Sequence, residues 1–377
     1  MKYSYCRVSV AGTGSFLPGD PIPNDRIDEV LGPITNAPAR VRSFIETVGK
    51  RMLRDGGVEF RHFAIDPKTR KLTHTLATLA EEAARRALDH AGMSPTEVDL
   101  LLLSSPSYDH TTPPTTTILQ ERLGIENCAE MEIHSNCSGV GKCMQVAYDA
   151  LRTGRYKTAL VTYPQLSSVY LRDCYFNQAQ MTKTQAALRY ILADGSGAVL
   201  LKAVEAGGDG AVVPQELLGT YVESVGGKRP PAMTAGGGVA DLIEHSSPVL
   251  EVLSRGSHHL DQDFSAVNRD AVTFLLNGTL KMLDSLGLAK NSIDHYVYSI
   301  PTRQLYEGNL EKVTSLFGIR PEQVKFRSRH CGYCGGASIL VHFDDMVRSG
   351  EIRPGQTVLL HSVESSKWMS AGFVVKW

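Results

Sequence analysis

The sequence predicts an α/β fold made of two related halves, and three observations carry that prediction. Residues 88–106 align without gaps on residues 283–301, at a constant offset of 195. Each copy reads as a helix end, a glycine, a short loop, an aspartate and a buried strand ending in Ser-x-Pro. Each is then followed by a helical stretch closing on Leu-Gly-Ile (123–125) or Phe-Gly-Ile (317–319) and by a small-residue turn that opens another helix. The chain has 377 residues, enough for two such units around a sizeable core.

In chain order, the first portion carries an arginine-rich insertion at about 20–70, with Arg40, Arg42, Arg51, Arg54 and Arg61. A strand over Ala129–Ile133 leads into the turn Asn136-Cys-Ser-Gly139. A helix then begins at or just after Cys137, since Val140, Met144, Ala147 and Leu151 recur on one face. Its end, Arg-Thr-Gly154, is matched by Arg-Ser-Gly350 in the second half. Strands are expected at 159–163 and 198–203, and again at 358–362 and 372–377. The intervening 205–270 is glycine-rich, with breaks at Gly207–Gly210 and Ala235–Gly238, and reads as an irregular connection. The expected division is therefore 1–204, 205–270 and 271–377, with Cys137 and Cys331 at equivalent turns facing each other near the centre.

Lys+Arg number 39 and Asp+Glu 40, which argues against a general binder of nucleic acid or membrane surfaces. The amino terminus lacks a signal-peptide core, and no apolar run approaches a membrane span. Seven cysteines in no secreted spacing point to a reducing cytoplasm. Cys331-x-x-Cys334 lacks the second ligand pair of a zinc site, so neither a metal nor a bound cofactor is expected.

Cys137 is the candidate nucleophile. A cysteine at a helix N-terminus meets the positive end of the helix dipole, which favours thiolate. Ser135, Ser138, Gly139 and Gly141 leave room for a substrate carbonyl. Position alone is equally compatible with a buried structural cysteine.

These motifs resemble the thiolase superfamily, and within it the β-ketoacyl-acyl-carrier-protein synthase III branch. Asn136-Cys-Ser-Gly139 resembles the nucleophile turn, Ala193-Asp-Gly-Ser-Gly-Ala198 a glycine-rich family strand, and Gly350–Leu360 the approach to the penultimate strand. The longer N-terminal portion, with Phe16–Asp20 and Asn24-Asp25, is similar to synthases of alkylresorcinols, pyrones and related natural products. The resemblance implies a thiolase fold with five α-β-α-β-α layers and a likeness to enzymes that load an acyl group onto cysteine from acyl-carrier protein or coenzyme A. It also implies a homodimer, or a heterodimer with another ketosynthase.

The family's Cys-His-Asn pattern is broken. The histidine position matches Ser299 and the asparagine position Tyr333. Serine is no base near neutral pH and presents no cationic donor. His330, beside the second turn, is a candidate substitute; His134, His295 and His110 are weaker ones. The resemblance further implies an oxyanion hole from the amides of Cys137 and Ser366, an acyl gate at Thr112, and phosphate or carrier contacts at Arg51, Arg54 and Arg61.

Three functions stay open: an acyltransferase of the ketosynthase III type, a condensing enzyme that needs no decarboxylation by His and Asn, and a non-catalytic partner of an active ketosynthase.

Overall fold

The architecture was analysed in a computed structural model that describes residues 5–205, 213–243 and 248–377. Its centre is one mixed sheet of nine strands. In chain order these are β1 (Arg7–Phe16), β2 (Leu100–Ser105), β3 (Ala129–His134), β4 (Thr158–Gln165), β5 (Gly195–Val204), β6 (Glu216–Ser224), β7 (His295–Tyr298), β8 (Thr357–Glu364) and β9 (Met369–Lys376). The spatial order is β7-β8-β9-β6-β1-β5-β4-β2-β3. Among the described residues, one registered pair, Ser9 with Glu216, joins β1 to β6. The sheet thus has two arms hinged at that point.

Six helices clothe the arms: α1 (Leu76–Ala91), α2 (Thr115–Leu123), α3 (Gly139–Arg152), α4 (Phe264–Ser285), α5 (Arg303–Phe317) and α6 (Ser338–Arg348). Strand alternation decides which face meets which helix. Leu100 and Leu102 point to a core shared with Val140, Met144 and Ala147 of α3 and Ile339 and Phe343 of α6. Their neighbours Leu101 and Leu103 pack instead with Ala80, Ala83 and Ala87 of α1. The second arm does the same. Val358 and Leu360 face the α3/α6 core, while Leu359 packs with Leu276 and Met282 of α4 and with Val313 and Phe317 of α5. The five expected layers follow: α1/α2, one arm, α3/α6, the other arm, α4/α5.

The internal repeat is visible in the backbone. Gly92 and Gly287 end equivalent helices with φ of 63° and 64°, and Gly124 and Gly318 with 72° and 65°. These left-handed positions accept glycine without the Cβ clash that other residues meet, so the paired glycines mark paired helix ends. The copy of β3 in the second half is reduced to one parallel bridge, Tyr296 with Val324.

Two boundaries differ from the sequence reading. Glu216–Ser224, inside the stretch read as irregular, is β6, a central strand between β9 and β1. Its Leu217 is buried in the common core and its Gly219 lies against Leu286. The glycine-rich flanks concealed a strand that starts the second half before residue 271. The Gly207–Gly210 break lies outside the described residues. The 20–70 insertion has a core of its own, where Ile27, Val30, Leu31 and Phe63 meet Leu171, Leu188 and Tyr190.

Candidate active site

The site is built where β3 hands over to α3. The strand ends at His134, the turn Ser135–Ser138 follows, and the helix begins at Gly139, two residues after Cys137. The Gly139 amide closes the turn on the Asn136 carbonyl at 2.9 Å. A Cβ on Gly139 would sit 2.1 Å from Ser104 Oγ, so only glycine lets the turn lie this close to β2. Tyr163 of β4 supports it from below, donating to the Ser135 carbonyl at 3.2 Å.

The second-half turn arrives from the opposite side. A short helix, Ser328–Cys331, ends at Gly332 with φ 76°. The chain then presents Tyr333, whose carbonyl accepts from the Ala193 amide at 2.9 Å. The Tyr333 hydroxyl lies 3.3 Å from Cys137 Sγ. Ser299, just past β7, donates to the Tyr333 hydroxyl at 3.3 Å and to the Gly335 carbonyl at 3.2 Å. The structure therefore brings residues 137, 299 and 333 together as a linear chain of neutral hydrogen-bonding groups. Tyr333 is raised well above the usual tyrosine value, chiefly by burial and further by the adjacent Cys137, so it stays protonated.

The fourth member, Glu364 at the end of β8, was not found by sequence reasoning. Its carboxylate accepts from Ser135 Oγ at 2.7 Å, from Ser138 Oγ at 2.5 Å and from the Ser138 amide at 3.2 Å. Ser366 Oγ donates to its other oxygen. Lys142 Nζ donates to Ser135 Oγ at 2.8 Å. Burial alone would raise the Glu364 carboxyl, but bonds from Ser138, Ser366 and Ser135 and the Lys142 charge hold it below the ordinary value. An anion therefore sits at the N-terminus of α3. The available signal was a glutamate directly before Ser365-Ser366, where the resemblance calls for glycines.

This arrangement corrects the expectation of a thiolate. Burial pushes the Cys137 thiol up, the Tyr333 bond partly offsets this, and the Glu364 charge adds to the rise; the result is about 11. The helix terminus is already satisfied by a carboxylate, so its dipole is not free to lower the thiol. Cys137 rests as a neutral thiol.

The other candidates are placed as follows. His330 is exposed and lies 3.4 Å from Glu59 Oε2, beside the Arg329–Glu59 ion pair, and does not join the Cys137–Tyr333–Ser299 chain. Its place on the outer side of a short helix, not a register shift, decides this. His134 and His110 are exposed. His295 is buried at the start of β7, bonded to Gln356 at 3.1 Å. Thr112 lies exposed in the loop between β2 and α2. Arg51 is exposed, and Arg54 is exposed and pairs with Asp55 at 3.0 Å. Arg61 is not at the surface. It is 1% exposed and donates to Asn24 Oδ1 at 2.5 Å and to the Tyr190 carbonyl at 2.6 Å, tying the insertion to the body. Ser366 belongs to the Glu364 network, which places residue 366 with the Cys137 turn. Cys331 and Cys334 are buried free thiols. Among the described residues, no group of three or more His, Cys, Asp or Glu side chains could hold a metal ion, and no helix is long and apolar enough to cross a membrane.

Comparison with known proteins places the chain in a family. Residues 131–216 match the family model of 3-oxoacyl-[acyl-carrier-protein] synthase III, and residues 283–377 match the model of that family's C-terminal domain. Among solved structures, a tetronic acid condensing enzyme, AbyA1, is 24% identical with a TM-score of 0.73, over 98% of this chain and 100% of its own. The 3-oxoacyl-[acyl-carrier-protein] synthase III of Aquifex aeolicus VF5 is 16% identical, with a TM-score of 0.75 over 98% and 100%. An OleA structure from Xanthomonas campestris is 18% identical, with a TM-score of 0.76 over 98% of both chains. At these identities the structures speak for the fold.

Proposed function

Because the chain belongs to the thiolase superfamily, in its 3-oxoacyl-[acyl-carrier-protein] synthase III-like branch, we propose that it is a cysteine-dependent acyltransferase. The observation that carries this reading is the Cys137–Tyr333 contact at the meeting point of the two halves. A small-residue turn, a helix start and a hydroxyl donor converge on one sulfur.

In the loading step, Cys137 Sγ forms the new S–acyl bond as the donor's S–acyl bond breaks. The thiol proton leaves to the departing thiolate, so the overall exchange is neutral. The Tyr333 hydroxyl, which stays protonated and is backed by Ser299, is suited to donate a hydrogen bond to the sulfur as charge develops there, not to take up the thiol proton. The amides of Cys137 and Ser366 are the proposed donors to the tetrahedral oxyanion. The donor is an acyl-carrier-protein or coenzyme A thioester, and the setting is natural-product or specialised lipid synthesis. The acceptor is one that needs no decarboxylation, because Ser299 and Tyr333 replace the imidazole and amide that would stabilise an enolate. An already reactive carbon nucleophile, such as a β-ketoacyl thioester, fits the same site and would make the second step a condensation.

We propose that two chains associate through β3. This strand is one of the two edges of the nine-stranded sheet, and Met131 on it is 41% exposed. The partner is a second copy or a related ketosynthase.

A second reading, an accessory subunit without catalysis, is favoured by one observation: a thiol at about 11 with, among the described residues, no imidazole bonded to it. Incubation with acetyl, malonyl and β-ketoacyl thioesters separates the readings. Acetyl loading without malonyl decarboxylation supports transfer, and subsequent consumption of a β-ketoacyl thioester identifies condensation. Rapid malonyl decarboxylation contradicts the assignment of residues 299 and 333, and complete inertness leaves the accessory subunit.

A further inference from the structure

The Cys137 turn and the hairpin between β8 and β9 come from different halves of the chain, and the bonds between them converge on one side chain. Glu364, at the start of that hairpin, is 2% exposed. One of its oxygens accepts from Ser135 Oγ at 2.7 Å, from Ser138 Oγ at 2.5 Å and from the Ser138 amide at 3.2 Å. The other accepts from Ser366 Oγ. The carboxylate thus spans from both sides of Cys137 to the hairpin. Among the described residues, the other hydrogen bond between 135–142 and 364–369 runs from Lys142 Nζ to Met369 Sδ at 3.2 Å. A thioether is a weak acceptor, so Glu364 carries the connection.

A buried carboxylate is costly unless its lone pairs are filled. Four donors fill them here, and such charge-assisted bonds are short and directional. Two backbone amides beside this network stay open. The amides of Cys137, next to Ser138, and of Ser366 donate to no carbonyl among the described residues. They are the proposed oxyanion donors, and they belong to segments that no covalent connection holds in register. Donors of this kind act only within about 0.5 Å of their productive position, so something must fix their spacing.

We propose that Glu364 is a positioning residue for acyl transfer, a strut that holds the amides of Cys137 and Ser366 at the spacing that receives the tetrahedral oxyanion. The proposal rests on the acyltransferase reading for the identity of the reaction. It gives Glu364 a task apart from its charge, since a nearby negative charge disfavours both a thiolate and an oxyanion. What serves the reaction is the reach of two acceptor oxygens. Glutamine keeps that reach: its oxygen accepts from Ser135 and Ser138, and its amide donates to Ser366 Oγ, a hydroxyl that can turn to accept. Alanine removes it.

The test compares two reactions of one sulfur in the wild type, Glu364→Ala, Glu364→Gln and Ser366→Ala. Acetyl loading from acetyl coenzyme A passes through an oxyanion, whereas alkylation by iodoacetamide does not. Single-turnover rates are measured across thioester concentrations, and thermal melting identifies the folded variants. In Glu364→Ala the maximal loading rate should fall by about a hundredfold, the cost of a misplacement of about 1 Å. The half-saturating concentration should stay unchanged, as for an interaction made only in the transition state, and alkylation should not slow. Glu364→Gln should load at close to the wild-type rate. Ser366→Ala keeps the amide at a half-buried position and severs one limb, so it should show the same split to a smaller degree, and it decides the matter if Glu364→Ala does not fold. Loading and alkylation that fall together in a folded alanine variant make Glu364 a general support of the turn and overturn the proposal. Loading that is unchanged in a folded alanine variant overturns it, and so does Glu364→Gln as slow as Glu364→Ala, which assigns the effect to charge. Each of these, in a wild type that loads acetyl, removes the strut alone. A wild type that iodoacetamide alkylates on Cys137 but that takes no acetyl group there removes the acyltransferase reading, and the strut with it.

Discussion

At the scale of single residues, the site is defined by what surrounds one sulfur. Cys137, Ser299 and Tyr333 were legible in the sequence because each sits at a strand end or turn that the internal repeat locates. Glu364 was not, because its role depends on Ser135 and Ser138, which lie more than two hundred positions away and meet it only through folding. Its consequence is testable. The Glu364 charge raises the Cys137 thiol, so Glu364→Gln should move the pH profile of Cys137 alkylation by iodoacetamide to lower pH. The rate near pH 8 should rise about threefold or more, the effect of roughly half a pH unit. An unmoved profile would show that the carboxylate does not sense the thiol. Tyr333→Phe deletes the hydroxyl next to sulfur with little change of shape. Single-turnover acyl loading should slow by roughly a hundredfold, the low end for a lost proton donor, while melting stays close to the wild type. His330→Ala, at an exposed position paired with Glu59, should load at the wild-type rate; a large loss would return His330 to the reaction.

At the scale of elements, the hydrophobic periods and the paired glycines gave both halves, but they could not reveal β6. Strand propensity there depends on packing between β9 and β1, and its glycine neighbours look like a loop when read alone. The placement of α3 rests on close contact with β9. A Cβ on Gly141 would lie 2.5 Å from the Ala371 Cβ and 2.7 Å from backbone atoms of β9. Gly141→Ala should therefore destabilise the protein by about 1–3 kcal/mol, the usual cost of overpacking a dense core. Urea denaturation reads this directly, and an unchanged midpoint would mean that α3 can shift on the sheet. The Cys137 turn leads into the same helix, so under the proposed function loading should fall with stability.

At the scale of the whole molecule, the two arms share one core around α3 and α6, and the groups of the proposed site come from both. Cys137 is supplied by the first half, and Ser299, Tyr333 and Glu364 by the second. This is why the sequence could supply the residues at positions 299 and 333 but not the contacts they make. Positions are a matter of alignment, whereas the hydroxyl chain and the buried carboxylate are matters of approach between halves. The free edge of β3 extends the same logic to assembly. Light scattering should find two chains per particle for the isolated protein if the partner is a second copy, and Met131→Lys should shift it toward one, since a charge on an edge strand opposes edge-to-edge pairing. A wild-type protein that stays a single chain at high concentration would direct the search to a different ketosynthase as partner.

Cys137, although a neutral thiol at rest, is proposed to accept an acyl group. The most direct measurement is intact-protein mass spectrometry after incubation with acetyl coenzyme A and with acetyl-loaded carrier protein, followed by peptide mapping. One acetyl group per chain is expected, mapped to Cys137 and absent from Cys137→Ala. A folded wild-type protein that remains unmodified by either donor, or an adduct on another residue that persists in Cys137→Ala, would contradict it.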